Sequence, residues 1–364
     1  MMPNKEDHKM SKVLYHYTLP KEDGLWDCIS ESIPKGAEFK DLEQVHKFDW
    51  CIKRSFENGA PYMGVLSSDK RKYGFYLPRW KRVYDRYFRE EMKLENCLSD
   101  NVRERFSPEQ SGKSTSGYEF PSGKFYSVAS SSRFVVASFT KEKDGKLDYI
   151  ESIKINGKKE RISEVEFEHD TPVNGIDKNS HSPQLDFFFK TDNGTYFIEA
   201  KSHEILNNYK SIELSPSYLK TDAFKKLGLK EEPRVREYTD SNDKVHQYIS
   251  LDKSDDDGKH LLYASDFGCN LKTFHFDFKQ FLCHLMGIWS YAKEHQGEEI
   301  YFYYLIYRNK LYEEMFNSKL YQELEEEMRT IFNDFGKRFP IIHFGLCYHD
   351  KYDTLKELNL KELQ

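Results

Sequence analysis

Residues 182–204, SPQLDFFFKTDNGTYFIEAKSHE, contain two apolar, aromatic-rich runs around one polar tripeptide. The runs LDFFF and TYFIEA flank the polar tripeptide DNG, and Asn-Gly between such runs is typical of a two-residue type I′ hairpin turn. Continuous apolar runs are typical of central strands that are covered on both faces. The stretch therefore predicts a buried β-hairpin, with Asn193 and Gly194 as its two loop residues.

The predicted turn sets which residues of the two strands lie opposite each other. Asp186 would pair with Lys201, and Phe188 with Glu199. Because side chains alternate along a strand, Asp186, Glu199 and Lys201 would then emerge on one face. Burying charged groups costs free energy, which indicates a function for these three residues; a plain surface ion pair is the alternative.

The spacing of these charged residues resembles a known active-site motif. Asp186, twelve intervening residues and the tripeptide EAK resemble the motif of the PD-(D/E)xK nuclease superfamily, which includes many type II restriction endonucleases. The proline of that motif usually precedes the aspartate directly, whereas Pro183 stands three positions before Asp186. The acidic pair and the lysine match residue for residue.

The resemblance implies a Mg²⁺-dependent hydrolysis of phosphodiester bonds, with Mn²⁺ as a substitute metal. The metal ligands would be Asp186, Glu199, the backbone carbonyl of Ala200 and a third acid, Glu168. Oxygen ligands of this kind suit Mg²⁺, which retains waters and accepts phosphate oxygens. Lys201 would position or help to deprotonate the attacking water and would stabilise the charge of the transition state.

Glu168 belongs to an alternating stretch upstream of the hairpin. Residues 163–168, SEVEFE, predict a strand with Glu164, Glu166 and Glu168 on one face. PD-(D/E)xK nucleases often take a further acidic residue from a preceding element, and Glu168 is the first choice here, followed by Glu166. The solvated face of an edge strand is the alternative interpretation.

A helix is predicted after the hairpin. Asp277 and Gln280 resemble a capping box, and the helix that they open runs to about residue 293. Its apolar positions recur at helical spacing and predict a buried stripe of Phe278, Phe281, Leu282, Leu285, Trp289 and Ala292. Gln280 and His284 share one side of this helix, so either could face the hairpin. In related nucleases a helix glutamine or lysine reaches the scissile phosphate region, so Gln280 is a candidate catalytic residue; completing the cap is its alternative role.

The remaining elements complete an α/β order. Residues 127–139 predict a helix before the first strand, residues 300–308 and 341–348 predict strands, and residues 311–337 predict a charged helix. The helix after the hairpin should make a right-handed crossover to a parallel strand. The order matches a restriction-endonuclease-like core, which is a central mixed β-sheet flanked by helices.

A basic segment provides candidate contacts to DNA. Residues 70–89, KRKYGFYLPRWKRVYDRYFR, contain eight Lys or Arg and one Asp, a net charge of +7, whereas the whole chain carries −6. Basic residues interleaved with aromatic rings favour phosphate contacts; a solvated helix with an aromatic core face is the alternative. The candidate nucleic-acid-binding residues are Lys70, Arg71, Lys72, Arg79, Lys81, Arg82, Arg86 and Arg89. Arg133 is a further candidate phosphate contact.

Composition divides the chain near residues 107–123, SPEQSGKSTSGYEFPSG, which are typical of a linker. Residues 1–120 are predicted to form a mostly helical N-terminal region for DNA recognition. Residues 121–364 are predicted to form the nuclease domain, which an insertion at about 203–272 interrupts.

The 364-residue chain has the composition of a protein with a large aromatic core. Aromatic residues make up 15% of it, with 27 Phe and 25 Tyr, while the mean hydropathy is −0.80. No apolar run is long enough for a transmembrane helix, and the polar start lacks the apolar core of a signal peptide. The six cysteines show no metal or disulfide spacing, so a cytoplasmic protein without a membrane partner is expected.

The predicted function is that of a DNA endonuclease of a restriction or anti-phage defence system. A nuclease of low specificity in repair or defence is one alternative. A catalytically inactive nucleic-acid-binding module of the same fold is the other. Cleavage of both strands would favour a homodimer, by analogy with restriction enzymes.

Overall fold

The computed structural model describes residues 98–105, 130–176, 182–202, 204–206, 209–240, 243–251, 261–308, 319–350 and 354–363. In these ranges the chain is an α/β protein built on one large mixed β-sheet with few helices, as the sequence predicts at this coarse level. Within the same ranges, no helix combines the length and the apolar character needed to cross a membrane. The predicted helical N-terminal region lies outside them except for residues 98–105, and the basic segment lies wholly outside.

The described residues form strands and helices in the following order. The strands are β1 (Thr140–Lys143), β2 (Lys146–Tyr149), β3 (Ser152–Ile155), β4 (Lys158–Asp170), β5 (Gln184–Thr191), β6 (Gly194–Lys201), β7 (Ser211–Ile212), β8 (Arg234–Thr239), β9 (Val245–Ser250), β10 (Leu262–Tyr263), β11 (Ile300–Tyr307), β12 (Ile342–His349), β13 (Glu357–Leu358) and β14 (Lys361–Glu362). The α-helices are α1 (Asp100–Glu104), α2 (Ser131–Phe139), α3 (Asp222–Lys226), α4 (Phe278–Glu294) and α5 (Lys319–Arg338). Short 3₁₀ turns occur at Glu204–Leu206, Pro216–Lys220 and Ala264–Phe267.

The main sheet has eight strands in the order β13-β3-β4-β5-β6-β11-β12-β14. β4, β5 and β6 are antiparallel neighbours, whereas β6, β11 and β12 run parallel to one another. α4 lies in the chain between β6 and β11, so it belongs to a connection between two parallel strands. The predicted parallel strand after the helix is therefore confirmed.

The predicted hairpin of β5 and β6 forms, but its turn differs from the prediction. Gly194 already belongs to β6 and pairs with Thr191, so the loop lies one residue earlier than expected. Neither Asn193 nor Gly194 has a positive φ, which excludes a type I′ turn formed by these two residues. Gly194 is required for another reason, because a Cβ there would lie 2.7 Å from the Tyr301 ring and 2.8 Å from the Glu299 carbonyl oxygen.

The register of the hairpin is shifted by two residues from the predicted one. Phe188 lies opposite Phe197 instead of Glu199, so that predicted pair is wrong. Continuing the observed register sets Asp186 opposite Glu199 and not opposite Lys201. Because side chains alternate with a period of two, the shift leaves the three charged residues on their predicted common face.

The two faces of this hairpin pack against different helices. Phe187, on one face, stacks on Phe139 of α2 with the ring centroids 4.1 Å apart. Phe197, on the other face, meets Tyr291 of α4 edge-on at a centroid distance of 5.1 Å. Both strands are buried over most of their length, as the sequence predicts for central strands.

α4 begins where the sequence predicts. The Asp277 side chain accepts a hydrogen bond of 2.9 Å from the backbone N–H of Gln280, which caps the first turn. The predicted apolar stripe is buried except for Trp289, which is half-buried and packs edge-on against Phe339. This packing fixes which side of α4 faces the sheet.

The other predicted elements are present with small changes of boundary. β11 and β12 coincide with the predicted strands to within one residue at each end. α5 ends one residue later than predicted and its described part begins at Lys319, because residues 311–318 lie outside the described ranges. α2 ends at Phe139 as predicted and is capped by the Ser130 side chain.

The predicted insertion at about 203–272 contains small elements of its own. β7 pairs with β10, and β8 pairs with β9, as two separate antiparallel ribbons. Among the described residues, none of these four strands joins the main sheet. The described part of the connection from β6 to α4 therefore forms its own small elements without extending the sheet that carries the hairpin.

Candidate functional site

Asp186, Glu199 and Lys201 come together at one end of the β5–β6 hairpin. Lys201 is the last residue of β6, and Asp186 lies near the start of the antiparallel strand β5. The three residues are buried, with 8%, 2% and 8% of their surface exposed, on the hairpin face that α4 covers. The structure thus brings together the residues that the sequence spacing singles out.

Lys201 connects the hairpin to α4. Its Nζ donates hydrogen bonds to Oε1 of Glu199 at 2.5 Å and to Oε1 of Gln280 at 2.6 Å. The Gln280 side chain therefore reaches the site, and only its backbone N–H takes part in the helix cap. The backbone N–H of Ala200 donates to Oδ2 of Asp186 at 2.7 Å, which holds that carboxylate beside the ion pair of Lys201 and Glu199.

Burial sets the protonation of this cluster. The pKa of Asp186 is raised well above its ordinary value, first by burial and then by the negative charge of Glu199. Burial also raises the pKa of Glu199, although Lys201 opposes that shift. Burial by itself would lower the pKa of Lys201, but attraction to Glu199, Glu204 and Asp186 raises it above its ordinary value. Lys201 therefore keeps its proton at neutral pH.

Glu204 is an acidic neighbour of the cluster for which the spacing of the motif gives no signal. It follows Lys201 by three positions, and its negative charge raises the pKa of Asp186 as well as that of Lys201. Its Oε2 accepts a hydrogen bond of 2.7 Å from the backbone N–H of Ser202, at the start of the 3₁₀ turn after β6. Glu204 lies near the site because the chain turns after β6, and not because side chains alternate along that strand.

His284 of α4 also faces Glu199, so both helix candidates reach the hairpin. Its Nδ1 lies 3.4 Å from Oε2 of Glu199, and neither atom has a hydrogen-bond partner among the described residues. Burial, followed by the positive charge of Lys201, lowers the pKa of His284 to about 3. The imidazole is therefore neutral at pH 7, and its contact with Glu199 is not an ion pair.

Tyr304 of β11 is a further polar residue beside the cluster. It pairs with Glu199 across β6 and β11, and its buried hydroxyl lacks a hydrogen-bond partner in the described part of the chain. Burial, and then the charge of Glu199, raise its pKa well above the ordinary value. Within the apolar run at residues 300–308 the sequence predicts Tyr304 only as a core residue.

Glu168, the predicted third acid, contacts α2 rather than the cluster around Lys201. In the register of β4 and β5, Glu168 occupies the position opposite Asp186, but its φ of +54° interrupts the strand there. Its Oε1 accepts a hydrogen bond of 2.5 Å from Ser132 of α2. Glu166 forms a hydrogen bond of 2.6 Å with Nδ1 of His169. Glu164 and Glu166 share a face of β4, whereas Glu168 leaves the predicted row and contacts α2.

The donor set at Asp186 and Glu199 fits a hard divalent cation. Among the described residues, no group of three or more His, Cys, Asp or Glu is close enough to hold a metal ion. The two carboxylates are nevertheless both buried, burial and then the charge of Glu199 raise the pKa of Asp186, and Oε2 of Glu199 has no hydrogen-bond partner in those ranges. A cation between them would offset that repulsion, and Lys201 already does so in part.

Of the predicted nucleic-acid contacts, only Arg133 lies within the described residues. All eight basic residues of the segment at 70–89 lie outside the described residues. Arg133 is buried completely in the packing of α2, with 0% of its surface exposed. The prediction of Arg133 as a phosphate contact is therefore wrong for this structure, because a phosphate of DNA could not reach a side chain without exposed surface.

Comparisons with known proteins do not extend this description. No protein family matches the chain, no curated protein is similar to it, and no solved structure matches its fold. The function must therefore be inferred from the arrangement of Asp186, Glu199, Lys201 and Gln280.

Proposed function

We propose that this chain is a Mg²⁺-dependent deoxyribonuclease that hydrolyses phosphodiester bonds. The observation that carries the proposal is the position of Lys201 Nζ, at 2.5 Å from Glu199 and 2.6 Å from Gln280, beside the buried carboxylate of Asp186. Two carboxylates that can hold a metal and a protonated amine that can bind a phosphate form one group set suited to phosphodiester hydrolysis.

The order of the elements supports the same proposal. α2, β4, β5, β6, α4 and β11 follow one another, and β11 runs parallel to β6. This is the order that the resemblance to PD-(D/E)xK nucleases implies for a restriction-endonuclease-like core. With residues 121–364 as that domain, residues 1–120 would contribute DNA recognition.

The chain's own residues have separate roles in the proposed reaction. Asp186, Glu199 and the Ala200 carbonyl would hold Mg²⁺, which would supply a Lewis acid for the attacking water and the leaving oxygen. Lys201 is protonated, so it acts by stabilising negative charge on the phosphate and orienting the water rather than as a base. Gln280 holds the Lys201 ammonium in place from α4.

A cleavage assay tests the proposal directly. The purified chain is incubated with supercoiled plasmid DNA in Mg²⁺, in Mn²⁺ and in EDTA. We expect nicked or linear product with either metal and none with EDTA. Cleavage in EDTA would contradict the metal-dependent mechanism, and intact plasmid in all three conditions would contradict the nuclease assignment.

The pattern of products distinguishes a restriction enzyme from a defence or repair nuclease of low specificity. Base recognition depends on side chains in a DNA groove, which the cluster around Lys201 does not provide. Digestion of phage DNA to discrete fragments would support restriction, and a continuous smear would support degradation. Sedimentation of the protein with cleaved DNA would test whether the enzyme acts as a homodimer.

A catalytically inactive DNA-binding module is the second candidate function. It is favoured by the direct ion pair between Lys201 and Glu199, which gives the ammonium and one of the two carboxylate oxygens a partner without a metal. Such a module would bind labelled DNA in both EDTA and Mg²⁺ and leave it uncut. Metal-dependent cleavage would exclude this alternative.

A further inference from the structure

A second cleft lies at the carboxyl ends of β11 and β12, apart from the cluster around Lys201. Its volume is about 380 Å³, which is within the usual range for sites that bind small molecules. Its lining combines aromatic, basic, acidic and amide side chains, which are those of Arg308, Tyr321, Gln322, Glu325, Glu326, Arg329 and Tyr348.

The aromatic corner of this cleft is well defined. The rings of Tyr321 and Tyr348 meet edge-on at a centroid distance of 6.0 Å, and the Tyr321 hydroxyl donates to the Tyr307 carbonyl at 3.1 Å. The guanidinium carbon of Arg308 lies 5.4 Å from the centre of the Tyr348 ring and 5.9 Å from that of Tyr321. Arg308 is thereby held over two rings while its residue remains exposed.

The cleft lies at the same end and on the same face of the sheet as the candidate site. Lys201 pairs with Ile306, and Ile306 pairs with Tyr348, so the three residues form one row across neighbouring parallel strands. Paired residues of adjacent strands project from the same face. With strands ~4.8 Å apart, the backbone of Tyr348 is ~10 Å from that of Lys201. A DNA strand bound at Lys201 would therefore have a neighbouring nucleotide within reach of the cleft.

The mixture of side chains narrows the class of ligand. A simple anion would be repelled by the exposed carboxylate of Glu326, and an apolar ligand would bury the arginines. A nucleotide uses all of these groups, since arginine binds phosphate, aromatic rings stack on a base, and amide and carboxylate groups bond to base edges. Glu325, the other carboxylate, is already bound by Arg329 at 3.1 Å and by Lys361 at 2.5 Å.

We infer that this cleft binds one nucleotide of the DNA strand whose scissile phosphate lies at Lys201. Arg308 contacts the phosphate of that nucleotide, Tyr348 packs against its base, and Gln322 and Glu326 contact the edge of the base. The inference rests on the proposed nuclease function and adds to it a subsite that positions the substrate strand.

Two exposed residues allow a test that does not disturb the core. Arg308→Ala and Gln322→Ala are compared with wild type for binding of a fluorescein-labelled DNA duplex with a single-stranded end, by anisotropy in EDTA. The KM and kcat of plasmid cleavage are then measured in Mg²⁺. Arg161→Ala is the matched control, because Arg161 is an exposed arginine near the start of β4, at the opposite end of the sheet.

We expect Arg308→Ala to weaken DNA binding ~10-fold, because the contacts to one nucleotide are lost. The same variant should raise KM more than it lowers kcat. Gln322→Ala should weaken binding by a smaller factor, and Arg161→Ala should behave as wild type. If wild type cleaves DNA but Arg308→Ala binds and cleaves as Arg161→Ala does, the subsite is wrong and the nuclease function stands. If wild type neither binds nor cleaves DNA, the proposed function fails and the subsite with it.

Discussion

The two faces of the β5–β6 hairpin share one backbone but differ in chemistry. Phe187, Phe189 and Ala200 face α2 and have no exposed surface. The face toward α4 begins with aromatic side chains near the turn and ends with Asp186, Glu199 and Lys201, which are also buried. The three buried charged groups therefore lie on one face, at the end of the hairpin where the first turn of α4 lies.

The comparison indicates how a protein can bury three charged groups. Each large apolar side chain that is removed from water contributes roughly 1.5–3 kcal/mol to stability, and the α2 face is composed of such side chains. The α4 face contributes less stability, because burying a charged carboxylate costs free energy. This cost shows in the pKa values of Asp186 and Glu199, which burial raises. Lys201 and Gln280 offset the loss only at this end of the hairpin.

The largest effect is expected from the loss of the lysine on the charged face. Lys201→Ala should lower plasmid cleavage by roughly 10³–10⁴-fold, because the phosphate loses its protonated partner. Lys190→Ala is the matched control, since Lys190 lies near the turn of the same hairpin and pairs with Glu164 at 3.0 Å. Equal activity of the two variants would remove Lys201 from the mechanism, provided that urea unfolding shows both to be folded.

The apolar face should be the more important one for stability. Phe187→Ala should lower the free energy of unfolding by roughly 3–5 kcal/mol, because it leaves a cavity between Phe139 and Phe167. Urea denaturation followed by circular dichroism measures the change. If Phe187→Ala lowers the free energy of unfolding by less than Lys201→Ala does, the apolar face is not the more important one for stability.

Neutralising a carboxylate on the charged face should raise the free energy of unfolding instead of lowering it. Asp186→Asn should raise the free energy of unfolding by about 1 kcal/mol, because a neutral asparagine avoids the cost of burying a charge and the repulsion by Glu199, while its oxygen can still accept the Ala200 N–H. The same variant should lose Mg²⁺ binding in calorimetric titration. A stabilised variant that still binds Mg²⁺ as wild type does would separate Asp186 from the metal site.

The smallest effect concerns the hydrogen bond between Glu166 and His169. This bond is the first cause that lowers the pKa of Glu166 below 4.5, so the carboxylate stabilises the fold above that pH and loses the contribution as the pH falls through the lowered pKa. Glu166→Gln should therefore cost roughly 0.5–1 kcal/mol at pH 7 and nothing once wild-type Glu166 is protonated. Unfolding curves from pH 7 to pH 3 measure the difference; a constant difference would contradict this origin.

The sequence predicts the hairpin, α4, β11 and β12 because hydrophobic periodicity and capping act locally. The common face of Asp186, Glu199 and Lys201 is also predictable, since it depends only on alternation along each strand. The pairing of opposite residues is not, because it requires the turn. Gly194 suggests a turn that needs positive φ, whereas the structure uses glycine there for close packing against Tyr301.

Other features of the site depend on tertiary packing and have no local signal. Glu168 takes a left-handed conformation that is uncommon for glutamate, so alternation fails at the residue chosen as the third acid. His284 and Tyr304 reach Glu199 only because α4 and β11 dock beside β6. Glu204 is near the cluster because the chain turns after β6, and no repeat in the sequence records that turn.

The alternation along β6 limits how this chain can change in length. An extra residue inserted between Phe197 and Glu199 would turn the carboxylate and Lys201 toward α2, away from Gln280 and into the layer where Phe139 and Phe187 pack. Two extra residues would return both side chains to α4, one pair further along the strand. If Glu199 and Lys201 are retained at the end of this strand, insertions of even length should therefore be compatible with folding, and insertions of odd length should not.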